Sequence, residues 1–330
     1  MDPVTQSALG SSLAQSRSSS EKIWPATILG CLGGLAPDLD IMIFSRTDPL
    51  LFLEYHRQFT HSLLFIPVGA FIVALFSQWF FRNHLSFKET YVFCFLGYLT
   101  HGLLDACTTY GTLLLWPFSY HRFAWNNISI MDPLFTIPIL GLIFLSAKRK
   151  TSLFGRIAIA WALTYLTIGL IQRDRAIEAG HNIASSRGHQ PTRLEAKPSF
   201  GNLVLWKIVY QTEGFFYVDA VRMGTQETIY SGTRIEKLDV RKHFPWLNTD
   251  SQQFKDIERF RWFSNDYLAV DKVSPKKIID IRYSMIPNEI DPMWGIVLSD
   301  HADPAEHVRW TASRELSKSD RRKFWAMLLN

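Results

Sequence analysis

Five apolar runs occupy the first half of the chain, and each is close to the roughly 20 residues that a helix needs to cross a bilayer. They cover residues 23–44, 60–81, 90–108, 128–147 and 154–171. The helices of a soluble core would need charged faces toward water, and these runs carry almost no charge. The sequence therefore predicts an α-helical membrane domain with about five spanning helices.

The second half of the chain has the composition of an ordinary soluble protein. Hydrophobic residues make up 47% of the whole chain, and this average conceals a change near residue 172. Strand-like runs follow at 202–210, 214–223, 226–231, 267–272, 277–285, 294–299 and 307–311, with helical spacing at 251–263 and 317–329. We expect a multi-span membrane domain over 1–172 and a small soluble α+β domain, mainly antiparallel, over 173–330.

The remaining totals exclude several classes of protein. The net charge of +5 is not gathered into a basic stripe, which argues against nucleic-acid binding. Cys31, Cys94 and Cys107 form no CxxC pair and lie in or beside apolar runs, so they are expected to be buried hydrophobes.

Residues 1–22 lack the pattern of a secretory signal peptide. Residues 3–15 suit either a short helix on the membrane surface or a disordered tail.

Lysine and arginine in short loops predict the orientation, because they favour the cytoplasmic side. The loops after the second and fourth runs, and the N-terminal segment, carry most of them: Arg17, Lys22, Arg82, Lys88, Lys148, Arg149 and Lys150. The opposite loops have few, and acidic residues offset them. We therefore expect a cytoplasmic N-terminus, with the odd loops and the C-terminal domain on the outer, periplasmic or extracellular, face.

This topology gathers metal-competent side chains on the outer face. Two of them end the first run, two open the second and two close the third: Asp38, Asp40, His56, His61, His101 and Asp105. His101 and Asp105 are four residues apart, so on a helix they share one face. Carboxylates at a helix C-terminus oppose its dipole, and a bound cation offsets that cost. Two alternatives without a metal stay open. Asp38 and Asp40 are solvated in an outer loop, and His101 and Asp105 form a hydrogen-bonded pair that bridges two helices.

A mixed set of histidines and carboxylates favours zinc, with manganese or iron as alternatives, over calcium. Six ligands exceed the need of one tetrahedral zinc, so we expect either two metals or one metal with carboxylates that orient the histidine rings. Such sites activate water for hydrolysis. Asp40 or Asp105 is a candidate general base. Arg57 has the planar fork that binds phosphate or carboxylate, although a lipid headgroup or an aspartate partner explains it equally well.

Other polar and aromatic residues near these runs have plainer interpretations. Trp116 and Phe118 are typical of interfacial anchors, with the lining of a lipid-tail groove as the sharper alternative. Asp132 precedes Pro133 and is expected to cap the next helix, although a ligand role stays open. His121 and Arg122 are expected at the surface.

Several ordered motifs resemble one family. They are MDPVTQ at 1–6, GGLAPDLD at 33–40, HRQFTHS at 56–62, HGLLDACTTYG at 101–111 and LWPFS at 115–119. Together they resemble the YdjM-like family of bacterial inner-membrane, metal-dependent hydrolases over about residues 1–170. The resemblance implies a multi-span protein of the bacterial inner membrane whose matching Asp38, Asp40, His56, His61, His101 and Asp105 hold a metal. Many members carry histidine where this chain has Gln6, which implies an altered site here.

The hypothesis from the sequence is a membrane-bound metal-dependent hydrolase. It acts on an ester or phosphoester of a membrane lipid or lipid-linked substrate at the outer face, with Asp40, Asp105 and Arg57 as candidate catalytic residues. One alternative is a non-catalytic membrane protein whose structural metal supports a C-terminal domain that binds a partner. An ion transporter ranks third, because polar residues deep in the spans are few.

Overall fold

The apolar first half of the chain is helical in the computed structural model, which describes residues 1–313 and 317–329. The helices before the C-terminal sheets are α1 (Pro3–Ser16), α2 (Ile23–Leu35), α3 (Leu51–Tyr55), α4 (Ile66–Phe81), α5 (Phe87–Ala106), α6 (Pro133–Arg149) and α7 (Leu153–Ser186). Short 3-10 segments, Ala36–Met42 and Phe59–His61, follow α2 and precede α4. Each predicted apolar run thus contains a helix.

The expected number of spanning helices is not confirmed. Among the described residues, α7 alone is long and apolar enough to cross a membrane as one helix. The stretch Leu51–His61 and helix α4 qualify together as a second span that is bent by 86°. Helices α2 and α6 have 13 and 17 residues, fewer than the roughly 20 that a bilayer requires. Polar or irregular turns, such as the one at Pro37, shorten the helices within these runs.

The short helix expected over 3–15 is confirmed as α1, and the alternative of a disordered tail is wrong. The helix is buried against α2, α5 and α6, so its expected position at the surface is also wrong. Its small residues explain the burial, because they let the helix backbones approach closely. A Cβ on Gly97 of α5 would clash with the backbone of Gly30 in α2, and one on Gly10 would do the same. The N-terminal motif thereby becomes part of the helix bundle.

Among the described residues of the C-terminal half, two four-stranded antiparallel sheets form, each a simple meander. The first orders β1 (Arg193–Pro198), β2 (Leu205–Gln211), β3 (Phe215–Met223) and β4 (Glu227–Glu236), and the second orders β5 (Leu268–Val270), β6 (Lys277–Asp280), β7 (Trp294–Val297) and β8 (Arg309–Ala312). Helices α8 (Val240–His243), α9 (Gln252–Phe263) and α10 (Lys318–Leu329) complete it. The predicted antiparallel character is confirmed, and β1 is a strand that the sequence did not indicate.

The two sheets share an apolar core. Val209, Phe216 and Val218 from the first sheet pack with Tyr267 and Ile279 from the second region. Apolar side chains alternate along β3, which places Phe216 and Val218 on the same face. This alternation is the pattern from which the strands were predicted.

The chain divides into two compact units. The first comprises Met1–Met42, Tyr55–Ile171 and Phe200–Leu203, and the second comprises Ile43–Glu54, Gln172–Ser199 and Val204–Asn330. The change of unit within α7 lies near the change in composition at residue 172. The predicted bounds of 1–172 and 173–330 stay a prediction.

Candidate metal centre

The six side chains that the sequence proposed as ligands lie together in the first unit. Asp38 and Asp40 stand on the 3-10 segment Ala36–Met42, and His61 ends the short 3-10 segment before α4. His56 lies in the turn after α3, and the other two residues, His101 and Asp105, occupy the last turns of α5. Two overlapping groups have the spacing of metal ligands: Asp38, His61, His101 and Asp105, and Asp38, Asp40 and His56.

Four of these side chains point potential ligand atoms at one small region. The Nε2 atoms of His61 and His101 are 2.9 Å apart. The Oδ1 atom of Asp38 lies 3.5 Å from His61 Nε2 and 3.3 Å from His101 Nε2. The Oδ2 atom of Asp105 lies 3.3 Å and 3.7 Å from the same two nitrogens. Two imidazoles and two carboxylates therefore converge, as they do in zinc, manganese and iron sites.

The Nδ1 atoms of both histidines show which ring nitrogens are available to a cation. His101 Nδ1 is 2.5 Å from the carbonyl oxygen of Gly34, which only accepts, so Nδ1 carries the proton. His61 Nδ1 lies 3.2 Å from the Asp40 carboxylate, which holds the same tautomer. In the neutral rings both Nε2 lone pairs then face each other across 2.9 Å. That arrangement is repulsive unless a cation or a shared proton lies between them.

The balance of charge favours a metal cation. Asp38, Asp40 and Asp105 bring three carboxylates, whereas Arg57 brings one guanidinium, 3.0 Å from Asp105 Oδ2. The Met1 amino group also contacts Asp105. Asp40, His61, His101 and Asp105 are all at most 3% exposed, so water screens these charges weakly. Three carboxylates against two cations, Arg57 and the Met1 amino group, leave one negative charge in excess when the histidines are neutral, and a divalent metal offsets it.

The buried Asp40 carboxylate contacts two histidine rings, those of His56 and His61. Its Oδ1 atom is 2.8 Å from His56 Nδ1, and its Oδ2 atom accepts hydrogen bonds from Thr60 Oγ1 and the Arg57 backbone N–H. A carboxylate bonded to Nδ1 fixes the ring and makes Nε2 a better base or ligand. The His56 side chain is 20% exposed, so the Asp40–His56 pair lies on the accessible side of the cluster.

Arg57 is buried and its backbone is strained. Its φ of 64° lies in the left-handed region, which costs a non-glycine residue about 1–3 kcal/mol. Besides Asp105, the guanidinium donates to Thr108 Oγ1 at 3.0 Å and stacks on Tyr110, with 4.7 Å to the ring centroid. The aspartate partner that the sequence left open is therefore present. Strain of this kind persists where the surrounding structure requires it, and it is concentrated at functional sites.

Several contributing residues were missed or only touched by the sequence reasoning. Gln6 is fully buried, and its Nε2 atom donates to Asp105 Oδ1 at 2.9 Å. Thr60, Thr108 and Tyr110 position Asp40 and Arg57 as described above. Gly102 lies on α5 where a Cβ would clash with the backbone oxygen of His61. The signal for Thr60, Gly102, Thr108 and Tyr110 was their position inside the motifs that carry the six ligands, and the signal for Gln6 was its place in the N-terminal motif at 1–6.

The remaining candidates lie outside the cluster. Asp132 caps α6, because its Oδ1 atom accepts from the N–H groups of Leu134 and Phe135, which answers the choice between cap and ligand. Phe118 is 83% exposed, as an interfacial anchor would be. His121 is exposed, and Arg122 donates to the Gly111 carbonyl at 2.9 Å.

Comparison with known proteins gives a family match and a related protein, and both are described as inner membrane proteins. A family model described as "YdjM inner membrane protein" matches residues 1–176. Inner membrane protein YbcI of Escherichia coli (strain K12) is 32% identical over 115 residues, which cover 33% of this chain and 65% of YbcI. The chain therefore spans just under two thirds of that relative. No solved structure gives a significant match.

Proposed function

The chain belongs to the YdjM inner membrane protein family, and we propose that it is a metal-dependent hydrolase of that membrane. Its substrate is an ester or phosphoester of a lipid or lipid-linked molecule at the outer membrane face. The observation that carries this proposal is the approach of His61 Nε2 and His101 Nε2 to 2.9 Å between two carboxylates. A metal cation accounts for both the geometry and the charge.

We assign the metal to Asp38, His61, His101 and Asp105, with zinc as the first choice and manganese or iron as alternatives. When bound, such an ion supplies Lewis acidity toward an ester or phosphoryl oxygen and makes water more acidic. The carbonyl of Gly34 and the carboxylate of Asp40 orient the two histidine rings. These partners commonly matter almost as much as the ligands themselves.

The chain's own groups supply proton transfer and anion binding. Asp40 and His56 form a carboxylate–imidazole pair, so the predicted base function of Asp40 is exerted through His56 Nε2. Asp105 stays a second candidate base. Arg57 is paired with Asp105, and its guanidinium is a positive charge in the cluster that can favour an anionic substrate oxygen.

The proposed topology keeps the five spans, with the odd loops and the C-terminal domain at the periplasmic or extracellular face. Because Met1 contacts Asp105 of the cluster, the proposal places Met1 at that same face, which corrects the expected cytoplasmic N-terminus, and keeps Arg17 and Lys22 on the cytoplasmic side. Exposed apolar side chains on α4, α6 and α7 support the proposal that these three helices lie in lipid. Phe76 and Phe80 are 74% and 78% exposed, and Ile137 and Leu163 are 65% and 62% exposed. Such side chains cost free energy in water and are stabilised in hydrocarbon.

A structural metal is the second candidate function, and one observation favours it. His61, His101 and Asp105 are almost completely buried, as ligands of structural sites are. Asp38 and His56, at 26% and 20% side-chain exposure, provide the open side that a hydrolase needs. In the structural alternative, the metal stabilises the helices while the C-terminal domain binds a partner.

Hydrolysis of a lipid panel by the purified, metal-loaded protein distinguishes the two candidates. We expect release of a headgroup, phosphate or fatty acid by the wild type, and loss of at least a hundredfold in His56→Ala with metal content retained. His84→Ala, which changes an exposed histidine in the loop after α4, serves as the control. A metal-loaded wild type that turns over no lipid in the panel would favour the structural candidate.

A further inference from the structure

The segment Ile43–Glu54 joins two parts of the metal centre but belongs to the C-terminal unit. Asp40 precedes it by three positions and His56 follows it by two. We propose that Arg259 is a positioning residue for the metal centre, because it anchors this segment and thereby holds Asp40 and His56 in place. The proposal rests on the metal site proposed above and adds a role for the C-terminal domain.

Arg259 of α9 binds the segment at two points. Its Nη1 and Nη2 atoms donate to the two carboxylate oxygens of Asp48 at 3.0 and 2.8 Å, and its Nε atom donates to Glu54 at 2.5 Å. Paired hydrogen bonds of this kind fix direction as well as distance. Burial disfavours the charged form of Asp48, yet the hydrogen bonds from Arg259 hold its pKa below the usual value. The ion pair therefore persists at neutral pH.

The anchor is itself held firmly within the C-terminal unit. Arg259 Nη1 also donates to Asp256, which is fully buried and accepts from His307 Nδ1 at 2.8 Å and from the Val308 N–H at 3.1 Å. A buried carboxylate with this many donors keeps one orientation. The guanidinium thus has little freedom to follow the segment if the segment moves.

Apolar contacts reinforce the same attachment. Phe52 packs edge-on against Trp310 of β8, with ring centroids 5.3 Å apart. Leu50 and Leu53 are buried. Ionic and apolar contacts therefore both hold the segment on the C-terminal unit.

The residues that flank the segment on its two sides contact each other in the proposed metal centre. The Asp40 carboxylate receives His56 Nδ1 at 2.8 Å and the Arg57 N–H at 3.0 Å. Without the ion pairs of Arg259, the segment samples more conformations, and a smaller fraction of these keeps Asp40 and His56 in contact. Holding the two residues together then costs chain entropy. Since Asp40 orients His61, the loss is expected to reach the metal.

The test compares Arg259→Gln with Arg261→Gln in the full-length protein. Arg261 lies on the same helix and pairs with Glu258 and Asp266, which are not part of the segment. The two readouts are hydrogen exchange of peptides over 43–58 and zinc affinity by competition with a chelator. We expect Arg259→Gln to speed exchange there and weaken zinc binding by about tenfold, with Arg261→Gln unchanged in both. Arg259→Lys should recover part of the affinity.

Three results would overturn the proposal, and they have different meanings. Unchanged exchange in Arg259→Gln shows that Arg259 is not the anchor. Faster exchange with unchanged zinc affinity shows that the anchor does not position the ligands. An equal loss in Arg261→Gln shows a general loss of stability. A wild type that binds no zinc, manganese or iron contradicts the proposed metal site instead, while the exchange data still report on the anchor.

A second route avoids a variant that fails to fold. Asp48→Asn and Glu54→Gln remove the same ion pairs from the half-buried segment and leave α9 intact. The combined variant should reproduce both effects of Arg259→Gln. If it folds with normal exchange and normal zinc affinity, the proposal is wrong.

Discussion

At the scale of single residues, the candidate metal centre depends on side chains that hold other side chains in place. Asp40 contacts two histidines and a threonine, and its role is to fix their rings. Gln6 plays a similar part for Asp105. The ligand residue types and their order were readable in the sequence. These supporting contacts were not, because they join residues from separate segments.

Asp40→Asn is expected to weaken metal binding by about ten- to a hundredfold while the protein stays folded. The amide keeps the size of the side chain but loses the charge that fixes the tautomers of His56 and His61. Zinc affinity measured with a competing chelator checks this. Asp174→Asn, which changes an aspartate with 64% side-chain exposure on α7, should leave the affinity unaltered. Equal affinity in Asp40→Asn and the wild type would show that Asp40 does not orient the ligands.

Lys207 on β2 gives a pH-dependent stability that the sequence did not indicate. Burial, with the nearby Lys197 charge, lowers the pKa of Lys207 to about 7, against about 10.4 in an unfolded chain. Between these values the unfolded chain binds the proton more tightly, so this lysine makes stability rise with pH by up to about 1.4 kcal/mol per unit. The neutral amine still donates to Ser284 and to the Glu289 carbonyl.

Lys207→Met should remove that dependence. Denaturant unfolding at several pH values from about 7 to about 10 is expected to show a shallower rise in stability for Lys207→Met than for the wild type. Lys276→Met, at an exposed lysine before β6, is the matched control. Parallel curves for Lys207→Met and the wild type would show that Lys207 does not lose its proton in the folded protein.

At the scale of elements, helix α1 packs closely against other short helices and does not lie at the surface as predicted. Amphipathic spacing suggested that α1 lies on the membrane, but Gly10, Gly30 and Gly97 bring α1, α2 and α5 into backbone contact. Periodicity reports the polarity of a helix and does not identify its neighbours. The strands were located better, because alternation and turn residues are local signals.

Gly97→Ala should therefore destabilise the helix bundle by about 1–3 kcal/mol, because the new methyl group meets the Gly30 backbone, which cannot rotate away. Gly141→Ala on α6 is the control, since nothing lies within 4 Å of its added Cβ. Thermal unfolding in detergent compares the two. If both variants are as stable as the wild type, α2 and α5 do not pack as closely as described.

At the scale of the whole molecule, the sequence predicted a helical region followed by an antiparallel region, and both are present. It did not indicate that Ile43–Glu54 would join the C-terminal unit. That attachment depends on ion pairs between residues about two hundred positions apart, such as Arg259 and Asp48, for which a single sequence has no signal.

The proposed topology predicts that the C-terminus lies outside the cytoplasm. Alkaline phosphatase fused after Asn330 should be active, and green fluorescent protein fused there should be dark, because each folds on one side only. A phosphatase fusion in the loop at His84 should show the opposite result. A fluorescent C-terminal fusion would contradict the orientation that lysine and arginine predict.

The central claim is that His61 and His101 hold a metal between two carboxylates. The most direct measurement is the metal content of the full-length protein purified without chelators, by inductively coupled plasma mass spectrometry. We predict one or two equivalents of zinc, manganese or iron per chain in the wild type and in His84→Ala, and a loss of most of it in His61→Ala and His101→Ala. A folded wild type without metal, or histidine variants that retain all of it, would contradict the account.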